Sequence, residues 1–145
     1  MRAIIQRVSS AMLVTPATNP KKIGKGIVAL IGIEKGDNET SIKRMSERLL
    51  GYRIFPDSDG RMNLSISDIN GELLLVPNFT VAADTKKGSR AGFSTAAAPD
   101  ESKRLFSMFI DTVSEAPLRT MSGIFAADMQ ITLTNDGPVT FILES

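Results

Sequence analysis

The chain has no histidine, no cysteine and no tryptophan. Those absences remove most of the common catalytic repertoire. The Ser-His-Asp triad, the Cys-His dyad, most zinc sites and imidazole acid–base catalysis all need residues that are missing. With no cysteine there is no disulfide frame, and a cytoplasmic home is the default expectation. Long apolar runs are lacking too. The longest, Gly26 to Ile33, is too short to cross a bilayer, and the opening Met1-Arg2-Ala3-Ile4-Ile5-Gln6-Arg7 lacks the three-part layout of a signal peptide, so no membrane association is expected. Nor is there a dominant charge: 17 basic residues face 16 acidic ones, a net +1. That balance argues against nucleic-acid binding by bulk electrostatics but leaves room for a local basic patch. No glycine-rich phosphate motif is present and the acidic pairs lack metal-ligand spacing, so neither a cofactor nor a metal is expected. The remaining tools are backbone amides, hydroxyls, carboxylates, lysines and the substrate's own groups. Such a set suits an already activated bond and suits an unactivated amide badly.

What is there reads as one domain over residues 1–145, without repeats or linker-like shifts in composition. Ala3–Val8 and Ala11–Val14 read as two strands, Pro16–Lys22 as a loop, and Gly26–Ile33 as a central strand buried on both faces. Asp37 or Asn38 caps a helix running to Leu50, with Ile42, Met45 and Leu49 on one face and Gly51 in the C-terminal cap. Pro56–Gly60 is a turn between short extended pieces. Leu73–Val76 is a buried strand, and Pro77 marks an edge, a bulge or the strand's exit. Pro99 opens a second helix with Asp100 and Glu101 in its first turn and an apolar face of Leu105, Phe106, Phe109, Ile110 and Val113. Ala127–Leu133 alternates as a half-buried strand and Thr140–Leu143 is another. The expected class is α/β, with mixed, largely antiparallel sheets in a barrel-like arrangement and two main helices outside.

Three segments stand out from scaffold. Pro77-Asn78-Phe79-Thr80 follows a buried strand. It is either a strand-end turn with one buried Phe or a pocket wall with exposed N–H groups. Asn135-Asp136-Gly137-Pro138-Val139-Thr140 carries the Asp-Gly signal of a β-hairpin. The proline after the glycine also makes a stiff tip that offers carbonyls at fixed positions and no side-chain bulk; about 5% of X-Pro bonds in folded proteins are cis. Thr85-Lys86-Lys87-Gly88-Ser89-Arg90 is a solvated basic loop unless it lies beside a site, where it can grip phosphates.

These segments, with others, resemble the D-aminoacyl-tRNA deacylase (D-tyrosyl-tRNA deacylase) family over essentially the whole chain. The matching stretches are Gln6-Arg7-Val8, Leu50-Gly51-Tyr52-Arg53-Ile54-Phe55, Met62-Asn63-Leu64, Phe79-Thr80, Ala82-Ala83-Asp84-Thr85, Gly88 with Arg90, Gly123, Phe125-Ala126-Ala127-Asp128-Met129 and Asn135 to Thr140. The resemblance implies the fold of that family and a homodimer with active sites at its interface, acting on aminoacylated tRNA. It implies that a cis Gly137-Pro138 pair enters the partner's pocket, holds the α-amino group of a D-amino acid and collides with an L side chain. Glycyl-tRNA, having no side chain to reject, is then also a substrate. Arg7 matches a residue bracing the Gly-Pro loop, and Met129 one lining the pocket. The chain departs from the family at Pro77-Asn78, where Ser-Gln is usual, and at Ala91-Gly92, where Pro-Ser is usual. Proline at the first of these positions also occurs in a related subgroup that removes L-alanine and uses a trans Gly-Pro. Asn78 shortens the amide arm by one methylene, which shifts its contact to the terminal adenosine.

A mechanism without histidine follows. The amides of Phe79 and Thr80 form an oxyanion hole, one such donor being worth roughly 3 kcal/mol. The ribose 2′-hydroxyl orients the attacking water. Pro77 and Asn78 complete that wall. Thr80 has no base near it in sequence to make it a nucleophile, so its hydroxyl is assigned to positioning. Lys86, Lys87 and Arg90 are the candidate tRNA-phosphate contacts, with Lys21, Lys22 and Lys25 as a second patch. Two competing readings are an RNA- or nucleotide-binding module that has lost activity, and an esterase for small D-amino acid esters or L-alanyl-tRNA.

Overall fold

The computed structural model describes residues 1–145. Its backbone is a long N-terminal strand, β1 (Arg2–Thr15), around which the other elements assemble. Along one side β1 pairs antiparallel with β8 (Gln130–Glu144) over almost its whole length. Along its other side it pairs first with β3 (Gly26–Gly32) and then with β2 (Thr18–Ile23). β6 (Glu72–Pro77) runs parallel to β3, and β7 (Thr120–Ser122) parallel to β6. The order β2-β1-β3-β6-β7 curls nearly shut, because Lys21 Nζ on β2 donates to the Ser122 carbonyl on β7, 2.5 Å away. β4 (Phe55–Pro56) and β5 (Met62–Leu64) form a separate two-stranded ribbon. The result is the expected mixed, barrel-like α/β architecture with two helices outside.

Alternation along the strands sorts side chains to two faces. Ala3, Ile5, Ile27, Ala29, Ile31, Leu73 and Leu75 face α1 (Glu39–Gly51) and α2 (Pro99–Ser114), joining Met45, Leu49, Leu105 and Phe109 in a cluster of 20 buried residues. Val8, Leu13, Val28, Leu74 and Val76 face the other way, in a cluster of only seven flanked by half-buried Leu30, Met121, Met129, Ile131 and Leu133. The second face is therefore incompletely covered, and Ile142 on β8 is 64% exposed. β3 and β6 approach so closely that a Cβ on Gly26 meets the Glu72 carbonyl oxygen at 1.8 Å, so only glycine fits there. No helix is long and apolar enough to cross a membrane.

Several boundaries differ from the sequence reading. The first two strands are one, with register shifts against β8 around Arg7 to Ser10. Thr18–Ile23 is a strand, not a loop. Pro20 is tolerated because β2 ends the sheet order and the register shifts between Leu13 and Thr15 opposite it. Asn38 caps α1 through its Oδ1, which accepts from the amides of Thr40 (2.9 Å) and Ser41 (3.3 Å). Gly51 is the helix's last residue and the cap is Tyr52 in extended conformation, so no left-handed glycine terminates it. Ala127–Met129 precedes β8 as irregular chain, because Ala126 turns the backbone at φ 59°.

Candidate active site

β6 stops where its donors stop. Pro77 lacks an N–H, and after the Asn78 amide bonds the Ile31 carbonyl at 2.8 Å the chain leaves the sheet into a 3-10 helix, Phe79–Ala82. The Asn78 side chain turns back to cap that helix. Its Oδ1 accepts from the Thr80 amide at 3.3 Å and from Thr80 Oγ1 at 2.5 Å. The shortened amide arm is thus spent on its own chain rather than extended outward. Thr80 is exposed, with its hydroxyl proton held by Asn78, and no basic group is bonded to it. The Phe79 amide, at the first position of the helix, has no hydrogen-bond partner. The Phe79 ring is 61% exposed and packs at 5.0 Å between centroids against Phe93, itself 46% exposed. A strand-end turn around a buried Phe does not describe this segment.

Beside it opens a cavity of about 870 Å³ with a predominantly apolar lining. Pro77, Asn78 and Phe79 line it together with Phe93, Phe125 to Met129 and the chain entering α2. Met129 sits in it because Ala126 redirects the chain, with the Ala127 amide bonding the Ile124 carbonyl at 3.2 Å. Lys35 and Asp128 are the only charged side chains in the lining.

The Asp136-Gly137 pair is not a hairpin turn. Thr140 pairs with Gln6 and Asn135 with Val8, so both arms belong to β8 and lie on the same neighbour. Between those points β8 has four residues, Asp136 to Val139, against only Arg7 on β1, and the excess bulges outward as a tip bearing Gly137 and Pro138, both exposed. The bond between them is cis. Asn135 closes the base of the tip: its Oδ1 accepts from the Val139 amide at 2.7 Å, and its Nδ2 donates to the Val139 carbonyl and Thr140 Oγ1. Arg7, mostly buried, donates from Nε to the Asp136 carbonyl and from a terminal nitrogen to the Ile54 carbonyl, both at 2.7 Å. A Cβ on Gly137 meets the Val139 amide nitrogen at 2.5 Å, so the tip is shaped for glycine.

The fold therefore gathers Pro77, Asn78, Phe79 and Met129 around one cavity and leaves Gly137, Pro138 and Arg7 outside its lining. Lys86, Lys87 and Arg90 are exposed and free of ion pairs on a loop pinned by the Asp84–Gly92 backbone pair, which leads directly to Phe93 in the cavity lining. Of the second basic patch, Lys21 is tied to Ser122. Sequence reasoning gave no role to Ala96–Ala98, Phe125 or Lys35 in the lining. Small apolar residues before a helix carry no chemical signal.

Residues 4–144 match the family model described as D-Tyr-tRNA(Tyr) deacylase. D-aminoacyl-tRNA deacylase from Vibrio cholerae is 50% identical, covering 100% of both chains. The protein of the same name from Geobacter sulfurreducens is 48% identical over 100% of this chain and 95% of its own. Among solved structures, one titled c-Myc DNA Unwinding Element Binding Protein superposes with a TM-score of 0.94 at 32% identity, covering 100% and 99% of the two chains. Another, titled as a probable eukaryotic D-amino acid tRNA deacylase, shares the fold with a TM-score of 0.81 at 17% identity, covering 99% and 98%. The chain belongs to the D-Tyr-tRNA(Tyr) deacylase family, hydrolases of the aminoacyl-tRNA ester bond.

Proposed function

We propose that this protein hydrolyses the ester of D-aminoacyl-tRNA in the cytoplasm, releasing tRNA and the D-amino acid, and that it rejects L-amino acids sterically. The observation that carries this reading is the division of labour in the chain. A cavity with an unpartnered amide at Phe79 lies in one place, and a braced, side-chain-free tip at Gly137-Pro138 lies outside it. The two halves make one site when the tip of a second copy enters the cavity. Two features support a homodimer. The outer edge of β8 has no partner strand, and Ile142 stands exposed on the incompletely covered sheet face beside Ile4, its register partner.

In this reading the tip's carbonyls hold the α-ammonium group, which directs the hydrogen of a D-amino acid, rather than its side chain, at the tip. An L side chain collides there. Glycine, having no side chain, is also cleaved from its tRNA, including glycyl-tRNA(Ala). The Phe79 amide stabilises the oxyanion of the tetrahedral intermediate. The Thr80 amide, shared with Asn78 at 3.3 Å, joins it if that long bond gives way. The ester is activated enough for water, oriented by the ribose 2′-hydroxyl, to attack without a histidine. Phe79 and Phe93 offer exposed rings on which a nucleobase of the RNA end stacks. Lys86, Lys87 and Arg90 meet acceptor-stem phosphates.

Pro77 in the cavity wall favours one second reading, a deacylase of L-alanyl-tRNA. The test is a deacylation panel with D-tyrosyl-, L-tyrosyl-, glycyl- and L-alanyl-tRNA. Cleavage of the D-tyrosyl and glycyl esters alone supports the first reading. Cleavage of L-alanyl-tRNA supports the second. Binding without cleavage leaves an RNA-binding module.

A further inference from the structure

Gly123 follows β7 directly and is buried, with its amide donating to the Leu75 carbonyl at 2.8 Å and so extending the β6–β7 pairing by one bond. Its backbone is not in the left-handed region, so its conformation alone does not call for glycine. The space around it does. A Cβ at this position meets Met129 Sδ at 2.7 Å, Pro77 Cδ at 3.0 Å and Leu13 Cδ1 at 3.4 Å. Relaxed contacts between such atoms need about 3.5 to 4.0 Å. Pro77 is a rigid ring ending a strand and Leu13 is wholly buried, so neither has room to retreat. Met129 is flexible, half-buried and lines the cavity, so it is the group that moves.

We propose that Gly123 is a positioning residue for the deacylase site: its missing side chain is the slot in which Met129 lies against Pro77, and that slot sets where the cavity wall stands. The inference rests on the reading that this cavity receives the aminoacyl end of the RNA. It assigns a function to a residue that touches no substrate and is separated from Met129 by the turn at Ala126.

The test compares wild type, Gly123→Ala, Met129→Ala and the double variant. Each is assayed for kcat and KM on D-tyrosyl- and glycyl-tRNA and for affinity toward an amide-linked, non-hydrolysable D-tyrosyl-adenosine, and wild type and Gly123→Ala, which keep Met129, are compared in the position of its methyl resonance. Gly123→Ala is expected to shift that resonance and to lower kcat/KM about tenfold or more on both substrates, a misplacement of an ångström at a site sufficing for larger losses. The loss should fall mainly on KM and analogue affinity, because an intruding wall obstructs ground and transition state alike. Removing the displaced side chain should relieve it, so the double variant should outperform Gly123→Ala alone, a non-additivity that a merely structural glycine would not give. Gly123→Ala within twofold of wild type, or a double variant worse than either single one, overturns the proposal while the deacylase reading stands. A wild type that binds the analogue without cleaving either ester overturns the catalytic reading alone, and the affinities then decide the role of Gly123. A wild type that neither binds nor cleaves overturns both.

Discussion

The exit of β6 and the bulge of β8 both interrupt a strand beside a proline, yet they do opposite things. At Pro77–Thr80 the strand stops, the chain turns inward to a short helix, and the outcome is concave: a cavity wall, an unpartnered amide and an exposed ring. At Asn135–Thr140 the strand carries on, only the excess residues leave it, and the outcome is convex: a tip without bulk, held from beneath by Asn135 and Arg7. One region offers N–H donors and the other offers carbonyls. In the proposed site the donors meet the oxyanion and the carbonyls meet the α-ammonium group, each region supplied by a different copy of the chain.

The comparison breaks most sharply at the tip. Gly137→Ala places a methyl group 2.5 Å from the Val139 amide nitrogen and must deform the bulge. The expected outcome is a loss of about a hundredfold or more in kcat/KM on D-tyrosyl-tRNA, since misplacing a positioned group costs that much. Steady-state deacylation checks it, with circular dichroism to confirm the fold. Next in size is the basic loop. Reversing the charge at Lys86 and Lys87 together should weaken tRNA binding roughly tenfold and flatten its salt dependence by about two phosphate contacts, measured by titration from low to moderate salt. On the concave side Thr80→Ala removes the hydroxyl that donates to Asn78 Oδ1. With that hydroxyl proposed to position rather than attack, kcat is expected to fall by about tenfold, the scale of one neutral hydrogen bond. A fall beyond about 10³-fold at unchanged stability would make Thr80 a reacting group.

Both helices were legible in the sequence because a 3.6-residue apolar period and local start signals, the Asn38 cap and Pro99 in the first turn, are encoded within a few residues. β2 was not. Thr18-Asn19-Pro20 has the composition of a loop, and only pairing with β1 across a bulge makes it a strand. The same failure of locality produced the hairpin reading of Asp136-Gly137. That dipeptide is a strong turn signal when its flanks pair with each other, but here both flanks pair with β1. The strand expected over Ala127–Leu133 begins only at Gln130, because the chain turns at Ala126 through one backbone angle that the alternating pattern does not record. At the site, Pro77, Phe79 and Met129 were named because their residue types and the family likeness singled them out. Gly123 appeared only as a matching letter, since what it accommodates lies elsewhere in sequence.

The smallest expected effect lies away from both regions and serves as a control. Asp57 closes the turn between β4 and β5. Its carboxyl is held below the ordinary carboxylate value of 3.8, first by the Asn63 side-chain amide and then by the Arg61 amide. A depressed value in the folded state means that the contribution is fully present above 3.8 and is lost as pH falls through the lower folded value. The difference in thermal midpoint between wild type and Asp57→Ala should therefore shrink as the solution is acidified through that range, with deacylation at neutral pH little changed.

The proposed sharing of one site between two copies is tested most directly by subunit complementation. A tip variant, Gly137→Ala, and a cavity variant, Met129→Trp, each weakly active alone, are mixed after dissociation and allowed to reassociate. Activity on D-tyrosyl-tRNA should return to roughly a quarter of wild type, because half of randomly paired dimers are mixed and each of those carries one intact site. Mixed dimers present by native mass spectrometry without any recovered activity would contradict a site built from the tip of one copy and the cavity of the other.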